Sequence, residues 1–406
     1  MNKDPKAIMK LRTETGTAPS WIEQSKIAEI TALSGLTGAI DLAQGFSNEP
    51  PPPEILDFFR AACVDEQAHQ YCEPRGAGVL RRNIAEKLEG FNGVLANPET
   101  EIVVTCGAAE GLQAAFRALF QPGDHILTFS PVYENYFHQA NAAGLNIRAI
   151  RLSEPDFSFT PERLEAEHSP QLRAVLLCNP CNPTGKVWSE QELRTVTDFA
   201  ARHDLVLISD ETYERFIWNG THRSIASLPE ARDRSVSIFS MGKSYSVTGW
   251  RVGYLVAPEK LLKPIARVRE LSTICAPHVC QLALARALNL PEAFYTAQRA
   301  CFRERKNMLS RAVLQLGLKP WAPQGGYFLW CDFSSISTED DFSFAKQLLH
   351  GARVAGVPGG VFFPPGTESA QRIRLTFSKS LKTIRQACNR LAKFQNDCQI
   401  PTKVSA

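Results

Sequence analysis

The sequence predicts an α/β fold in which a large lobe is built around a mainly parallel, seven-stranded sheet and a smaller lobe is α+β. Seven short apolar runs alternate with helical patterns between residues 101 and 257, as is typical of parallel strands joined by helical crossovers. Past residue 291, long helical patterns surround only two strand patterns. The chain has 406 residues, and a single hydrophobic core stops growing near about 250–300 residues. We therefore expect two lobes.

The predicted strands of the large lobe are short runs rich in β-branched and apolar residues. They are Glu101–Cys106, His125–Phe129, Asn146–Leu152, Arg173–Cys178, Leu205–Ser209, Ser235–Phe239 and Val252–Ala257. Apolar spacing predicts a helix that begins after Gly107 and ends before Pro122, and another from Ser189 through Phe199. In the smaller lobe the predicted helices and strands are Ala293–Leu316, Asp341–Arg353 and Lys382–Phe394, with strands Tyr327–Asp332 and Arg372–Phe377.

These elements divide the chain into three stretches. Residues 1–50 would form an N-terminal arm and part of the small domain, residues 51–290 the large domain, and residues 291–406 the C-terminal small domain. The cluster Pro50–Pro53 marks the first boundary, because consecutive prolines cannot lie inside a helix or a central strand.

Charge and composition exclude several classes of protein. The 45 Lys+Arg residues exceed the 42 Asp+Glu residues by only three, so we expect no nucleic-acid partner. No apolar run approaches the roughly 20 residues of a membrane span, and Met1–Lys6 leads into no signal peptide. We therefore expect no membrane partner and a cytoplasmic location. The eleven cysteines are an odd number, which favours free thiols over a disulfide framework.

Polar residues follow four of the predicted strands, where an α/β sheet binds its ligands. These strand ends are Cys106–Ala109, Asn179–Gly185, Asp210–Tyr213 and Ser240–Lys243. The first could offer a phosphate the free N–H groups of a helix N-terminus, although from these residues alone a plain strand-to-helix connection is the favoured interpretation. The glycine pattern of a dinucleotide site is absent, because Arg81 stands where the third glycine of Gly76-Ala77-Gly78 would be needed. A nicotinamide dehydrogenase is thereby disfavoured.

The other strand ends carry titratable groups or turn-forming residues. Asn182-Pro183-Thr184-Gly185 could be a simple turn. Asp210 ends an apolar strand and so needs a cationic partner, whereas strand alternation turns Glu211 to the opposite face. A lysine such as Lys243 is usually exposed, but this one follows a buried strand, and buried lysines lose their proton and become nucleophiles that form Schiff bases.

The chain resembles the class I/II aminotransferases, which are pyridoxal phosphate (PLP) enzymes of fold type I. The resemblance rests on the order of three motifs, Asn-Pro-Thr-Gly, then Asp-x-x-Tyr, then Ser-x-x-Lys, with Arg251 eight residues after the lysine. The chain is most similar to the kynurenine/methionine aminotransferase branch, through motifs that extend from about residue 42 to residue 378. They are Gln44-Gly45-Phe46, Asn182–Gly185, Gly249-Trp250-Arg251-Val252-Gly253, Gly326-Tyr327-Phe328-Leu329 and Ile373-Arg374.

The resemblance implies a cofactor and a role for each matching residue. Lys243 would hold PLP as an internal aldimine and move a proton between the substrate and the cofactor. Asp210 would keep the pyridine nitrogen protonated. Tyr213 and Asn182 would hydrogen-bond the phenolic oxygen of the cofactor, and Tyr133 would stack on its ring.

The resemblance also implies how the phosphate and the substrate would be bound. Ala108, Ala109, Ser240 and Arg251 would bind the phosphate, with Tyr71 reaching it from a second subunit. That last role implies a homodimer with shared active sites.

The substrates implied are an L-amino acid and a 2-keto acid. Arg374 would bind the α-carboxylate of the amino acid in a bidentate fork, and Gly45 would let the backbone approach it closely. Two alternatives stay open from the sequence. The same site could belong to a PLP-dependent lyase that eliminates a β- or γ-substituent from a polar or cationic amino acid. Glu49, in Phe46-Ser47-Asn48-Glu49, could face the side-chain pocket and favour such a donor, or it could be a solvated loop residue.

Overall fold

A computed structural model describes residues 25–367 and 371–397. The strands are β1 Ile40–Asp41, β2 Ile102–Thr105, β3 His125–Ser130, β4 Asn146–Arg151, β5 Leu172–Cys178, β6 Val206–Asp210, β7 Ser235–Ser240, β8 Gly253–Val256, β9 Lys319–Pro320, β10 Phe328–Asp332, β11 Val354–Ala355, β12 Val357–Pro358 and β13 Arg372–Thr376. The α-helices are α1 Lys26–Thr37, α2 Pro53–Cys63, α3 Gly78–Lys87, α4 Ala108–Leu119, α5 Asn135–Ala142, α6 Pro161–Glu165, α7 Glu190–Arg202, α8 Met241–Ser244, α9 Glu259–Thr273, α10 His278–Ala287, α11 Glu292–Leu316, α12 Asp341–Gln347 and α13 Leu381–Asp397.

The large sheet has seven strands in the order β2-β8-β7-β6-β5-β3-β4. All its pairs are parallel except those of β8, which runs antiparallel to both β7 and β2. Its central strands are buried along nearly their whole length, because apolar clusters cover both faces. The predicted α/β fold with a mainly parallel seven-stranded sheet is confirmed.

The helices that cover this sheet begin and end where the local sequence favours it. Helix α4 begins after Gly107, which has a φ of +80° that glycine adopts readily. Helix α7 begins with a capping box in which the side chains of Ser189 and Glu192 each accept the other's backbone N–H. Both helices bury one apolar face against the sheet, and both were predicted within three residues of their observed ends.

A second sheet of four strands, in the order β12-β13-β10-β9, is antiparallel throughout. The long helices α11 and α13 pack against each other and share with this sheet a hydrophobic cluster. Strands β1 and β11 form a separate parallel pair. The smaller α+β part of the fold is thus present, and its Arg374 lies in the middle of β13. The exact domain boundaries stay a prediction.

One predicted helix differs from the structure. The sequence predicts a single helix over Asp341–Arg353, but α12 ends at Gln347 and a π-helical turn follows over Leu348–Ala352. Arg353 then takes a left-handed φ of 54°, which ends the turn and starts β11. Apolar spacing does not separate a π turn from an α-helix, because both bury residues on one side.

Within the residues that the structure describes, no helix is long and apolar enough to cross a membrane. The same residues contain no group of three or more His, Cys, Asp or Glu side chains arranged to hold a metal ion.

Candidate active site

A cavity of about 520 Å³ lies at the carboxyl ends of the parallel strands. Strand pairing explains how residues far apart in the sequence meet there. Cys178 pairs with Asp210 across β5 and β6, and Ser240 pairs with Gly253 across β7 and β8. All of the site residues predicted from the sequence line this cavity except Tyr71.

Lys243 projects into the cavity from helix α8, three residues after β7 ends. Its Nζ donates a hydrogen bond to the backbone oxygen of Gly45 at 3.0 Å, and it has no carboxylate partner within the described chain. Burial and, to a lesser extent, the nearby charge of Arg251 lower the pKa of Lys243 to about 8. A large share of this side chain is therefore a neutral amine near pH 8, the form that attacks a carbonyl carbon.

Arg374 lies on the opposite side of the cavity and is only 1% exposed. It donates hydrogen bonds to Asn182 Oδ1 at 2.7 Å and to the backbone oxygen of Ala43. Its guanidinium carbon lies 4.2 Å from the ring centroid of Phe328. Burial lowers its pKa to about 10. In the described residues no carboxylate pairs with it, and a buried cation without an anion is costly. The arrangement suits an anionic ligand.

Asp210 faces the cavity from the end of β6. Tyr136 donates to its Oδ2 at 2.6 Å, and the N–H of Thr212 donates to its Oδ1 at 3.1 Å. Burial nevertheless raises the pKa of Asp210 above its ordinary value. A cationic group in the cavity would relieve that cost by pairing with the carboxylate. The strand alternation that turns Glu211 away is observed, since its carboxylate accepts from His222, Ser224 and Ser237 behind the sheet.

A cradle suited to a phosphate forms where β2 and β7 end and the antiparallel β8 begins. The first N–H groups of helix α4 have no acceptor within the helix, and the hydroxyl of Ser240 and the guanidinium of Arg251 line the same part of the cavity. Arg251 is fixed by bonds to the backbone oxygens of Thr248 and Cys106, both 3.1 Å. A Cβ on Gly107 would lie 2.4 Å from Arg251 Nη2. Only glycine therefore permits this close approach.

Two tyrosines complete the walls. Tyr133 lines the cavity beside Tyr136, with their rings 5.6 Å apart and nearly perpendicular. Burial raises the pKa of Tyr133 to about 12 and that of Tyr213 well above its ordinary value, so both hydroxyls stay protonated and can donate hydrogen bonds at neutral pH. Tyr213 packs edge-on against Tyr327, at a ring-centroid distance of 4.9 Å.

The sequence matches the family described as Aminotransferase class I and II over residues 37–391. The chain belongs to this family.

Individual aminotransferases resemble it over most of their length. Methionine aminotransferase from Escherichia coli is 33% identical over 383 residues, which cover 91% of this chain and 98% of that protein. Kynurenine–oxoglutarate transaminase 3 from Mus musculus is 28% identical and covers 88% and 84%. The structure of N-succinyldiaminopimelate aminotransferase from Mycobacterium tuberculosis superposes with a TM-score of 0.90 at 30% identity, covering 93% of this chain and all of that one.

The protein is thus an aminotransferase, an enzyme of the transferase class, and the predicted branch and fold type I are confirmed. The relatives differ in the amino acid that they are named for. They give no support to the lyase alternative.

Tyr71 is the one predicted site residue of this aminotransferase that the structure leaves outside the cavity of its own chain. Its side chain is 75% exposed. Val64, Leu271 and Ile274 are among the other large apolar side chains that are exposed in the described residues.

The structure does not show Glu49 in the substrate side-chain pocket. Glu49 does not line the cavity, and its carboxylate lies 2.6 Å from Arg305 Nη2 of helix α11. It is not a freely solvated loop residue either, because the side chain is 37% exposed and ion-paired. Glu49 is therefore a partly exposed loop residue held by an ion pair, and its hypothesised role in the side-chain pocket gains no support from the cavity lining.

Tyr136 and the backbone oxygen of Ala43 were missed in the sequence, and Gly45 was predicted without the role of its backbone oxygen. Tyr136 binds Asp210 and stands three residues after Tyr133. That spacing places both tyrosines on one side of a helix start and could have signalled a second site residue. The carbonyl groups of Ala43 and Gly45, which accept from Arg374 and Lys243, carry no sequence signal because every residue has a backbone oxygen.

Proposed function

We propose that the cavity binds pyridoxal 5′-phosphate and an amino acid together, and that the chain transfers the amino group of an L-amino acid to a 2-keto acid. The observation that carries the proposal is a pair of cations, Lys243 and Arg374, that face one cavity with no carboxylate partner in the described chain. Lys243 would bind the aldehyde carbon of the cofactor, and Arg374 would bind the α-carboxylate of the amino acid. The reaction requires that both groups are held in place.

The residues present fit this cofactor. The helix α4 N-terminus at Ala108 and Ala109, with Ser240 and Arg251, would hold the phosphate, since backbone N–H groups and a guanidinium are suited to phosphate oxygens. Asp210, whose pKa is raised by burial, would pair with the protonated pyridine nitrogen. Gly107 leaves room for the cradle where any Cβ would strike Arg251.

The remaining walls would fix the orientation of the cofactor and the substrate. Tyr133 would stack on the ring, and Tyr213 and Asn182 would donate hydrogen bonds to its phenolic oxygen. Arg374 would bind the substrate α-carboxylate, with Gly45 providing a backbone surface close to the substrate. A Cβ on Gly45 would lie 2.6 Å from the ring of Phe328, so the close packing of this backbone on Phe328 requires a residue without a side chain.

When bound, PLP would supply the electron sink that stabilises negative charge at the substrate Cα. The protein would supply the proton transfer. The pKa of the Lys243 amine is lowered to about 8. The amine is therefore suited to take the proton from the substrate Cα and to donate it to the cofactor. Burial of Arg374 and the aromatic walls around it would exclude water and strengthen the ion pair with the substrate.

We further propose a homodimer in which Tyr71 of each subunit reaches the phosphate site of the other. The exposure of Tyr71, which lies outside the cavity of its own chain, supports this, because a large aromatic side chain left in solvent is typical of a contact surface. A cytoplasmic location stays a prediction from the sequence, for cell fractionation to test.

The experiment is a near-ultraviolet to visible spectrum of the purified protein, recorded with PLP and then with single amino acids and no keto acid. We expect a visible band that a suitable amino acid bleaches, with formation of the corresponding keto acid. A band that persists while ammonia accumulates would indicate elimination instead, and the absence of any band with PLP would refute the cofactor assignment.

A further inference from the structure

The segment Ala43–Glu49, here called the cavity loop, contacts both cations of the site at its beginning. The backbone oxygen of Ala43 accepts from Arg374, and that of Gly45 accepts from Lys243 at 3.0 Å. Tyr327 also donates to the Gly45 oxygen, at 2.7 Å. The backbone of this loop therefore contacts the group that would bind the carboxylate, while the lysine and the arginine themselves are carried by helix α8 and strand β13.

The other end of the cavity loop is fixed by an ion pair. Glu49 Oε2 lies 2.6 Å from Arg305 Nη2, and the Arg305 side chain is 7% exposed. Arg305 lies one turn after Phe302 on helix α11, and Phe302 packs against Tyr327, the residue that binds Gly45. Both ends of the loop are thus joined to one packed unit.

The middle of the cavity loop has weaker attachments of its own. Lys379 Nζ lies 3.6 Å from the ring centroid of Phe46, and Asn48 Oδ1 accepts from the N–H of Ser380 at 2.7 Å. These contacts would keep the loop folded if the ion pair were removed, so its loss would loosen the backbone and not unfold it.

We propose that Glu49 is a positioning residue, which through its ion pair with Arg305 holds the cavity loop at the spacing that the amino acid carboxylate requires. This inference rests on the proposed function, because it assigns the loop to amino acid binding. Glu49 acts at a distance and contacts no substrate. Its effect is therefore the same for every amino acid donor, whatever the side chain.

The proposal differs measurably from a role in reading cationic side chains. A carboxylate that bound the donor side chain would change the kinetics of lysine and arginine and leave methionine and alanine unaffected. A carboxylate that positions the loop changes the KM of all donors by a common factor. Because uniform binding is lost, KM rises while kcat is retained.

The test compares wild type with Glu49→Gln and with a control, Glu54→Gln, an exposed glutamate at the start of α2. We expect Glu49→Gln to raise the KM of lysine, methionine, glutamine and alanine alike by about tenfold, with kcat within about twofold. The control should match wild type. Amide hydrogen exchange in the PLP-free chain should be about tenfold faster over residues 43–49 in Glu49→Gln alone.

A double variant controls for the unpaired charge that the single substitution would leave on Arg305. In the described residues Nε and Nη1 of Arg305 have no partner, so Glu49→Gln leaves a buried guanidinium uncompensated and could fail to fold. The double variant Glu49→Gln/Arg305→Gln restores folding, and we expect it to keep the raised KM and the faster exchange.

Each outcome decides the question. An unchanged KM, a change confined to cationic donors, or a double variant that recovers both wild-type KM and wild-type exchange would overturn the proposal. If the wild type shows no transamination with any donor, the proposed function fails, and the exchange comparison alone then decides whether the ion pair holds the loop.

Discussion

At the scale of single residues, Asp210 and Glu211 are adjacent acids with opposite surroundings. Asp210 faces the cavity with a pKa raised by burial, whereas Glu211 is fully buried behind the sheet and accepts from three side chains. A substitution of Asp210 should therefore affect mainly activity, and a substitution of Glu211 mainly the stability of the fold.

We predict that Asp210→Asn lowers kcat at least about 100-fold, the scale of an electrostatic or acid–base group, while the PLP-free chain becomes more stable. Burial raises the pKa of Asp210, which means that the ionised carboxylate is less favourable in the folded chain than in the unfolded chain. At neutral pH, where the carboxylate is ionised in the unfolded state, this lowers the free energy of unfolding, and a neutral asparagine removes that cost. Glu211→Gln should instead cost about 1–3 kcal/mol of stability, because donors lose their acceptor. Urea unfolding and steady-state kinetics measure both, and equal effects at the two positions would contradict this.

Lys243 makes a second residue-scale prediction, on pH. Its pKa is about 8 in the folded chain against an ordinary 10.5, so the unfolded state binds more protons between these values. Stability of the PLP-free chain should then rise with pH from 8 to 10.5 through this group, and its contribution should fall as pH drops through 8.

Lys243→Met removes that dependence. We expect the variant to be about 3 kcal/mol more stable than wild type at pH 7, with the difference vanishing near pH 10.5. Urea unfolding of both PLP-free proteins at pH 7, 8.5 and 10 measures it. A difference that is constant with pH would show that the lysine keeps its ordinary pKa when folded.

At the scale of elements, the turn from β2 into helix α4 depends on one glycine. Gly107 and Gly123 both have a positive φ, +80° and +93°, but only Gly107 has a neighbour that a Cβ would strike. The two positions therefore share the backbone strain of an alanine substitution and differ in its effect on the site.

We predict that Gly107→Ala weakens PLP binding at least about tenfold, because the methyl group displaces Arg251 from the phosphate cradle. Gly123→Ala should lose about 1 kcal/mol of stability and bind PLP as wild type does. Equilibrium titration of PLP absorbance gives the affinity. Equal losses of affinity would mean that strain, and not the contact with Arg251, is responsible.

The strands show which secondary-structure elements could be predicted from the sequence and which could not. All seven strands of the large sheet were predicted because each is a short apolar run with turn residues at its ends. The two-residue strands β1, β9, β11 and β12 were not, because so short a stretch has no periodicity. The antiparallel direction of β8 relative to β7 and β2 could not be predicted either, because the direction of pairing depends on strands that are distant in the sequence.

At the scale of the whole molecule, the site combines residues from both sheets, and its motifs could be predicted only because they are local. The Ser-x-x-Lys and Asp-x-x-Tyr groups are short, and so is the Asn-Pro-Thr-Gly turn. The hydrogen bond from Tyr136 to Asp210 spans 74 residues, and the ion pair of Glu49 with Arg305 spans 256. No periodicity signals contacts of that kind.

The proposed homodimer gives a prediction for subunit mixtures. Lys243→Ala and Tyr71→Phe should each abolish or strongly reduce activity as pure proteins, but a heterodimer of the two should contain one intact site. In that site, Lys243 comes from one chain and Tyr71 from the other.

Co-expression with two affinity tags isolates the heterodimer. We expect it to recover about half of the wild-type activity per dimer, since one of two sites is complete. If Tyr71 serves its own chain, both sites carry a lesion and activity stays at the level of the pure variants. Analytical ultracentrifugation of the wild type provides the accompanying measurement of mass.

The pairing of Ser240 with Gly253 closes residues 241–252 into a single loop that holds both Lys243 and Arg251. The lysine and the phosphate arginine therefore keep their spacing by local means, whereas Arg374 reaches the cavity from the other sheet. Substitutions that shift the second sheet would therefore move Arg374 and its bonded partner Asn182 while the spacing of Lys243 and Arg251 stays as it is. One half of the cavity wall is thus free to vary in geometry against a half that is internally fixed.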